Sequence, residues 1–159
     1  MGFTEHALAH IEICVKTVKE ILEKLGYDEE TVNLGQIAAF MHDIGNVINR
    51  VDHAQSGAVM SFRILDKLGM DSKSLSKVIS AIGNHDESTA YPVNAISAAL
   101  ILADKSDVRR SRVRQKDIAS FDIHDRVNYA VSKKEIKFDG KEFTLILEID
   151  NSISSILNY

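Results

Sequence analysis

Residues 38–46 read Ala38-Ala39-Phe40-Met41-His42-Asp43-Ile44-Gly45-Asn46. An apolar helical run that ends on an imidazole and a carboxylate can aim both at one point, and the glycine two residues later is a stop signal. Upstream, Asp28 is suited to cap the free amides of a helix start, with Glu29 and Glu30 in the favourable first turn. The reading is a helix from Asp28 through Ile37, Ala38 and Met41 to a stop near Gly45, with His42 and Asp43 in its last turn.

The same periodicity extends on both sides. Ile11, Cys14, Val18, Ile21, Leu22 and Leu25 recur at helical spacing, which predicts an amphipathic helix over Thr4 to Leu25, stopped by Gly26. Further helices are expected from His53 to Leu68 before Gly69, and from Asp71 along Leu75, Val78, Ile79 and Ile82 towards His85. Pro92 lies in a connection, and Asn94 caps a helix containing Ile96, Ala99, Leu100 and Ala103, with Asp104 at its inner end. After the basic stretch Arg109 to Lys116, Asp122 is read as the cap of a short helix through Val127 and Ala130. The period then drops to two: Ile136 and Phe138, the turn at Asp139-Gly140, then Phe143, Leu145, Leu147 and Ile149 read as a hairpin. Asn151 to Tyr159 read as the opening of another helix. The expected fold is mainly α, a bundle of five or more helices with a small C-terminal β-hairpin. It forms one domain over 1–159, with a helical core at about 4–130 and the hairpin at about 135–150.

With 159 residues, 45% of them hydrophobic, there is material for one core and little for a second. A net charge of -4 gives no global attraction to nucleic acid or acidic membranes, so phosphate binding requires local positive charge or a metal. The single cysteine, Cys14, excludes an intramolecular disulfide framework and sits among apolar neighbours as a packing residue. Neither a membrane-length apolar run nor a secretion signal is present, and the chain reads as cytoplasmic.

His10, His42, His53 and His85 each sit near a helix end or on an apolar side, where an imidazole needs a partner. Asp104 closes a largely apolar helix and is costly to bury without a cation or strong hydrogen bonds. A divalent metal would satisfy all of them at once. Taken in order, His10, His42-Asp43 within AAFMHDIGN and Asp104 within LILADKSD resemble the His, His-Asp, Asp signature of HD-superfamily metal-dependent phosphohydrolases, over roughly residues 4 to 115. His124-Asp125 repeats the dipeptide without an apolar run before it and is read as a decoy.

His53, and His85 in AIGNHDE, resemble the extra ligands of binuclear members. The resemblance implies one metal on His10, His42, Asp43 and Asp104, and a second on Asp43, His53 and His85, with Asp43 bridging. His6, one turn before His10, is disfavoured because its spacing to Gly26 fits less well. Mixed imidazole and carboxylate ligation suits two divalent ions among Mn, Fe, Co, Ni and Zn, with Mg allowed at one position. The activity implied is hydrolysis of a phosphoester, monoester or diester, by a hydroxide bridging the metals. The substrate is a small phosphorylated molecule of nucleotide type; nucleic acid is disfavoured, no membrane is involved, and a homo-oligomer is open.

Lys105, Arg109 and Arg110, nearest Asp104 in the basic cluster, are candidate substrate anchors, with Lys105 also counted among the catalytic residues beside Asp43. Asp86 and Glu87 are candidates for moving a proton to the leaving group, and Asp107 for pairing with the bases or orienting a histidine. Two departures narrow the assignment. Asn46 stands where many catalytic members continue HDIG with lysine, and STAYP follows NHDE where the cyclic-dinucleotide enzymes carry GYP. The alternatives are a metal-binding regulatory module with little turnover and a di-iron oxygenase of the same superfamily.

Overall fold

The computed structural model describes residues 8–86, 90–113 and 120–155. Contacts divide the chain into two compact units, Ile11–Lys105 and a second made of Met1–His10 with Ser106–Tyr159.

The first unit is helical. It contains α1 (Leu8–Lys24, entering from the other unit at His10), α2 (Glu29–Met41), α3 (His53–Lys67), α4 (Ser72–Gly83) and α5 (Ala95–Ser106, which ends one residue inside the other unit). The expected caps are in place. The Asp28 carboxylate accepts the Thr31 amide at 2.8 Å, and Asp71 accepts those of Lys73 and Ser74 at 3.0 Å each. Asn94 accepts the Ser97 amide at 2.8 Å while the Ser97 hydroxyl accepts the Asn94 amide at 3.1 Å, a reciprocal cap that starts α5. Asn94 also donates to the Ser80 hydroxyl on α4 at 3.0 Å, which ties the two helices together. Between them the helices bury Val18 and Leu22, Ala38 and Ala39, Val78 and Ile82, and Ala99 and Leu100. At about 25 cal/mol per Å² of apolar surface, side chains of this size supply the main driving force for the bundle.

The α2 helix stops at Met41, earlier than the expected Gly45; His42 is its C-cap and Ile44–Val47 form a 3-10 turn. Gly45 explains the tight passage that follows. A Cβ there would lie 2.0 Å from the His53 carbonyl oxygen and 2.6 Å from the Gly57 amide nitrogen, so backbone packs on backbone where the turn meets the start of α3. Only glycine permits that approach.

The second unit carries a 3-10 turn at Arg110–Arg112, then α6 (Ile123–Ala130), β1 (Val131–Asp139) and β2 (Glu142–Ile149). Asp122 caps α6 by accepting the Asp125 amide at 2.8 Å. The strands pair antiparallel, with Ile136 opposite Leu145 and Phe138 opposite Phe143, and the ladder opens at Val131, earlier than expected. Gly140, at φ 57, takes the first of the two turn positions. The expected final helix does not begin at Asn151. Asp150 accepts both the amide and the hydroxyl of Ser152, at 3.0 and 2.6 Å, and this local turn competes with helix formation. The part of that expectation at 156–159, like the start of α1 at Thr4, lies outside the described residues.

Replacing Gly45 with alanine is expected to lower unfolding stability by about 1–3 kcal/mol, the range for forced overpacking, because the two nearest of the three clashing atoms are backbone. Urea denaturation checks this, and an unchanged midpoint would contradict the close approach.

Candidate metal centre

Three histidines of the helical unit are oriented by one local device. His42 Nδ1 lies 2.7 Å from the Ala39 carbonyl, His85 Nδ1 2.7 Å from that of Ile82, and His53 Nδ1 3.0 Å from that of Arg50. Each carbonyl belongs to the residue three positions earlier, and those of Ala39 and Ile82 are among the acceptors a helix end leaves unsatisfied. A carbonyl oxygen only accepts, so each Nδ1 carries the hydrogen and each Nε2 presents a lone pair.

Those lone pairs converge. His53 Nε2 is 3.2 Å from His85 Nε2, and the His42 and His85 rings meet edge to face with centroids 4.9 Å apart. Asp43 reaches both sides: one carboxylate oxygen is 3.4 Å from His42 Nε2 and the other 3.4 Å from His53 Nε2. Asn46 donates to that second oxygen at 2.7 Å and to the Asp43 carbonyl at 3.1 Å, holding the carboxylate across the gap. Asp104, from the last turn of α5, lies 4.0 Å from His42 Nε2. Donor atoms of His42, Asp43 and His85 all fall within 4.8 Å of one another, as do those of Cys14, His42 and Asp104.

Imidazole nitrogens and carboxylates gathered in a buried setting are groups a cation would satisfy, and the Arg50 guanidinium already lies 3.0 Å from one of them, His53 Nε2. The donor set, imidazole and carboxylate with one sulfur at its edge, fits borderline divalent ions. Burial, followed by the neighbouring His42, pulls His85 down to about 4, and burial with the Arg50 charge lowers His53. Both rings are thus neutral and able to ligate near pH 7.

The remaining expected residues are placed as follows. Lys105 Nζ is 3.5 Å from Asp104, and the Asp86 carboxylate is 4.0 Å from both His53 Nε2 and the Arg50 guanidinium. His10, in the other unit, is fully buried, with Nδ1 2.7 Å from the Asp107 carboxylate. Asp107 also receives the Arg109 Nε at 2.9 Å, and its carbonyl accepts from Arg112 at 2.7 Å. Burial raises this carboxyl, but the His10 hydrogen bond and the Arg112 and Arg109 charges outweigh it and hold it below the usual range. Arg110 donates to the Tyr129 carbonyl at 2.7 Å and lies over the Tyr129 ring. His124 is exposed on α6, while its neighbour Asp125 is buried and raised by burial and by Asp122. His6, Glu87, Arg114 and Lys116 lie outside the described residues.

Two residues at the centre escaped the sequence reading. Cys14 is a core residue as expected, yet its sulfur also borders His42 and Asp104. Its spacing of one helical turn after His10 was the available signal. Arg50 gave none, because a single arginine in a polar connection is indistinguishable from a solvated one.

Helices that deliver histidines and aspartates to one buried cluster able to hold a metal ion define a helical bundle with a candidate metal centre. The HD domain family model matches residues 7–139, and this chain belongs to that family. It is 25% identical to the uncharacterized protein MJ1020 of Methanocaldococcus jannaschii over 94% of its own length and 65% of that protein's. The crystal structure of a predicted HD superfamily hydrolase from an uncultured Thermotogales bacterium is similar with a TM-score of 0.56 and 27% identity, over 65% of this chain and 57% of that one. The chain thus spans less than two thirds of either relative.

The depressed His85 makes a prediction for the metal-stripped protein. Unfolded, this imidazole titrates near 6.5, whereas in the fold it resists protonation down to about 4. Its contribution is complete above pH 6.5 and is lost as pH falls through that interval, because the unfolded chain takes up the proton first. The full loss is about 3 kcal/mol. Unfolding followed from pH 7 to 4 in chelator should show this decline, and His85→Gln should flatten it; equal pH dependence in both proteins would contradict the assignment.

Proposed function

We propose that this chain is a metal-dependent phosphohydrolase that cleaves small, nucleotide-like phosphoesters. The observation that carries the reading is the pair of lone-pair nitrogens, His53 Nε2 and His85 Nε2, 3.2 Å apart beside Asp43. His42, Asp43 and Asp104 hold one divalent ion in this reading, and Asp43, His53 and His85 hold the other. His10 joins the first group, supported by its place one helical turn before Cys14 and by Asp107, which hydrogen-bonds Nδ1 and leaves Nε2 as the donor. When bound, two such ions lower the pKa of water towards neutrality and offset charge on phosphoryl oxygens.

The chain's own groups supply the rest. Asp43 spans the two positions, and Asn46 orients it where relatives with lysine would add charge. Asp86, partly exposed and 4.0 Å from His53, serves as the proton donor to the leaving oxygen. Lys105, 3.5 Å from the Asp104 carboxylate, brings a positive charge to the position where the substrate would sit. Arg109 and Arg110 remain candidate substrate anchors, but their bonds to Asp107 and Tyr129 give each a structural duty as well.

Elemental analysis followed by assay with nucleotides and an aryl phosphate, under added manganese or nickel, tests the reading. Asp43→Ala is expected to lose both metal and turnover, and His124→Ala to change neither. Wild-type activity in the first variant would refute the site. Bound iron with oxygen consumption and no phosphate release would replace the reaction with an oxygenase, and metal without either activity with a regulatory module.

A further inference from the structure

The charge that lysine provides in relatives carrying HDIG-Lys is absent at Asn46, yet the structure places another cation at the centre. Arg50, in the connection before α3, has NH1 3.0 Å from His53 Nε2 and NH2 4.0 Å from Asp86. The intervening Asp52 is the one non-glycine residue with positive φ among the described residues, at φ 57. That left-handed step folds the chain so that the Arg50 carbonyl receives His53 Nδ1 while the Arg50 guanidinium reaches Nε2 of the same ring. Such backbone is sparsely populated and persists where its surroundings hold it.

We propose that Arg50 is the phosphate-anchoring residue of this site, a role that rests on the phosphohydrolase reading above. A cation on His53 and the guanidinium cannot both use the Nε2 lone pair. A metal held by His53 would therefore displace the guanidinium from that nitrogen. The side chain is 45% exposed, so its outer edge already faces solvent, and the planar fork matches two oxygens of one phosphoryl group. Asp86 restrains the same guanidinium and keeps it beside the group read as the leaving-group proton donor. In this way the arginine both positions the ester and sits next to the acid. Lys105, a further cation of the same helical unit, lies 3.5 Å from Asp104, at the other carboxylate of the site.

The test uses the whole chain loaded with manganese and inorganic phosphate as the probe. Phosphate affinity is measured by calorimetry, and KM and kcat with an aryl phosphate. Arg50→Gln is expected to weaken phosphate binding by about tenfold or more, the loss of one charge-assisted hydrogen bond, and to raise KM more than it lowers kcat. Its metal content should stay at the wild-type level. Arg50→Lys should recover part of the affinity, since it restores the charge without the fork. Phosphate affinity in Arg50→Gln equal to wild type, at equal metal content, overturns the proposal and leaves the phosphohydrolase reading intact. A manganese-loaded wild type that binds no phosphate overturns both.

Discussion

The passage of backbone over backbone at Gly45 sets everything else in the centre. With the 3-10 turn resting on the His53 carbonyl, the end of α2 and the start of α3 are held closer than any side chain would allow. Gly57 completes the fit, since a Cβ there would come 3.2 Å from the His42 carbonyl and 3.3 Å from the Gly45 nitrogen. His42-Asp43 and His53, separated in sequence, thereby become neighbours across one carboxylate. The distances of 3.4 Å on either side of Asp43 rest on that backbone contact together with the Asn46 hydrogen bonds that hold the carboxylate.

Electrostatics of the centre run against ordinary burial. Isolated buried carboxylates and facing imidazole lone pairs are unfavourable, and hydrogen bonds from Asn46 and Arg50 are among the contacts that relieve them. Asp107 shows the opposite solution: it is fully buried but receives His10 and Arg109 directly, with Arg112 close by. One carboxylate is surrounded by cationic and imidazole donors, whereas Asp43 lies among imidazole nitrogens with Asn46 donating to it.

Helix starts, their caps and the presence of a hairpin were legible because they depend on local rules: Asp28, Asp71, Asn94 and Asp122 each declare a helix start within four residues of sequence, although the hairpin turn falls at Gly140-Lys141 rather than Asp139-Gly140. The candidate ligands were legible as an ordered set, through resemblance more than through chemistry, since each histidine alone would pass for a core residue. Less could be read where several elements meet. The close approach at Gly45 exists only where the turn after α2 meets α3, the Cys14 sulfur gains meaning only beside His42 and Asp104, and Arg50 lies across the left-handed step at Asp52 from the ring it meets. The helix expected to open at Asn151 failed there for a simpler reason: two hydrogen bonds from Ser152 to the Asp150 carboxylate favour a local turn.

The tethering of His42 and His85 to carbonyls near the ends of α2 and α4 makes each donor nitrogen a sensor of whether its terminal turn is wound. If either end frays, the ring loses the acceptor that sets its hydrogen and rotates off the common point. An ion held by both would therefore act as a stitch through segments distant in sequence, suppressing local unwinding at each so that hydrogen exchange at these helix ends slows together.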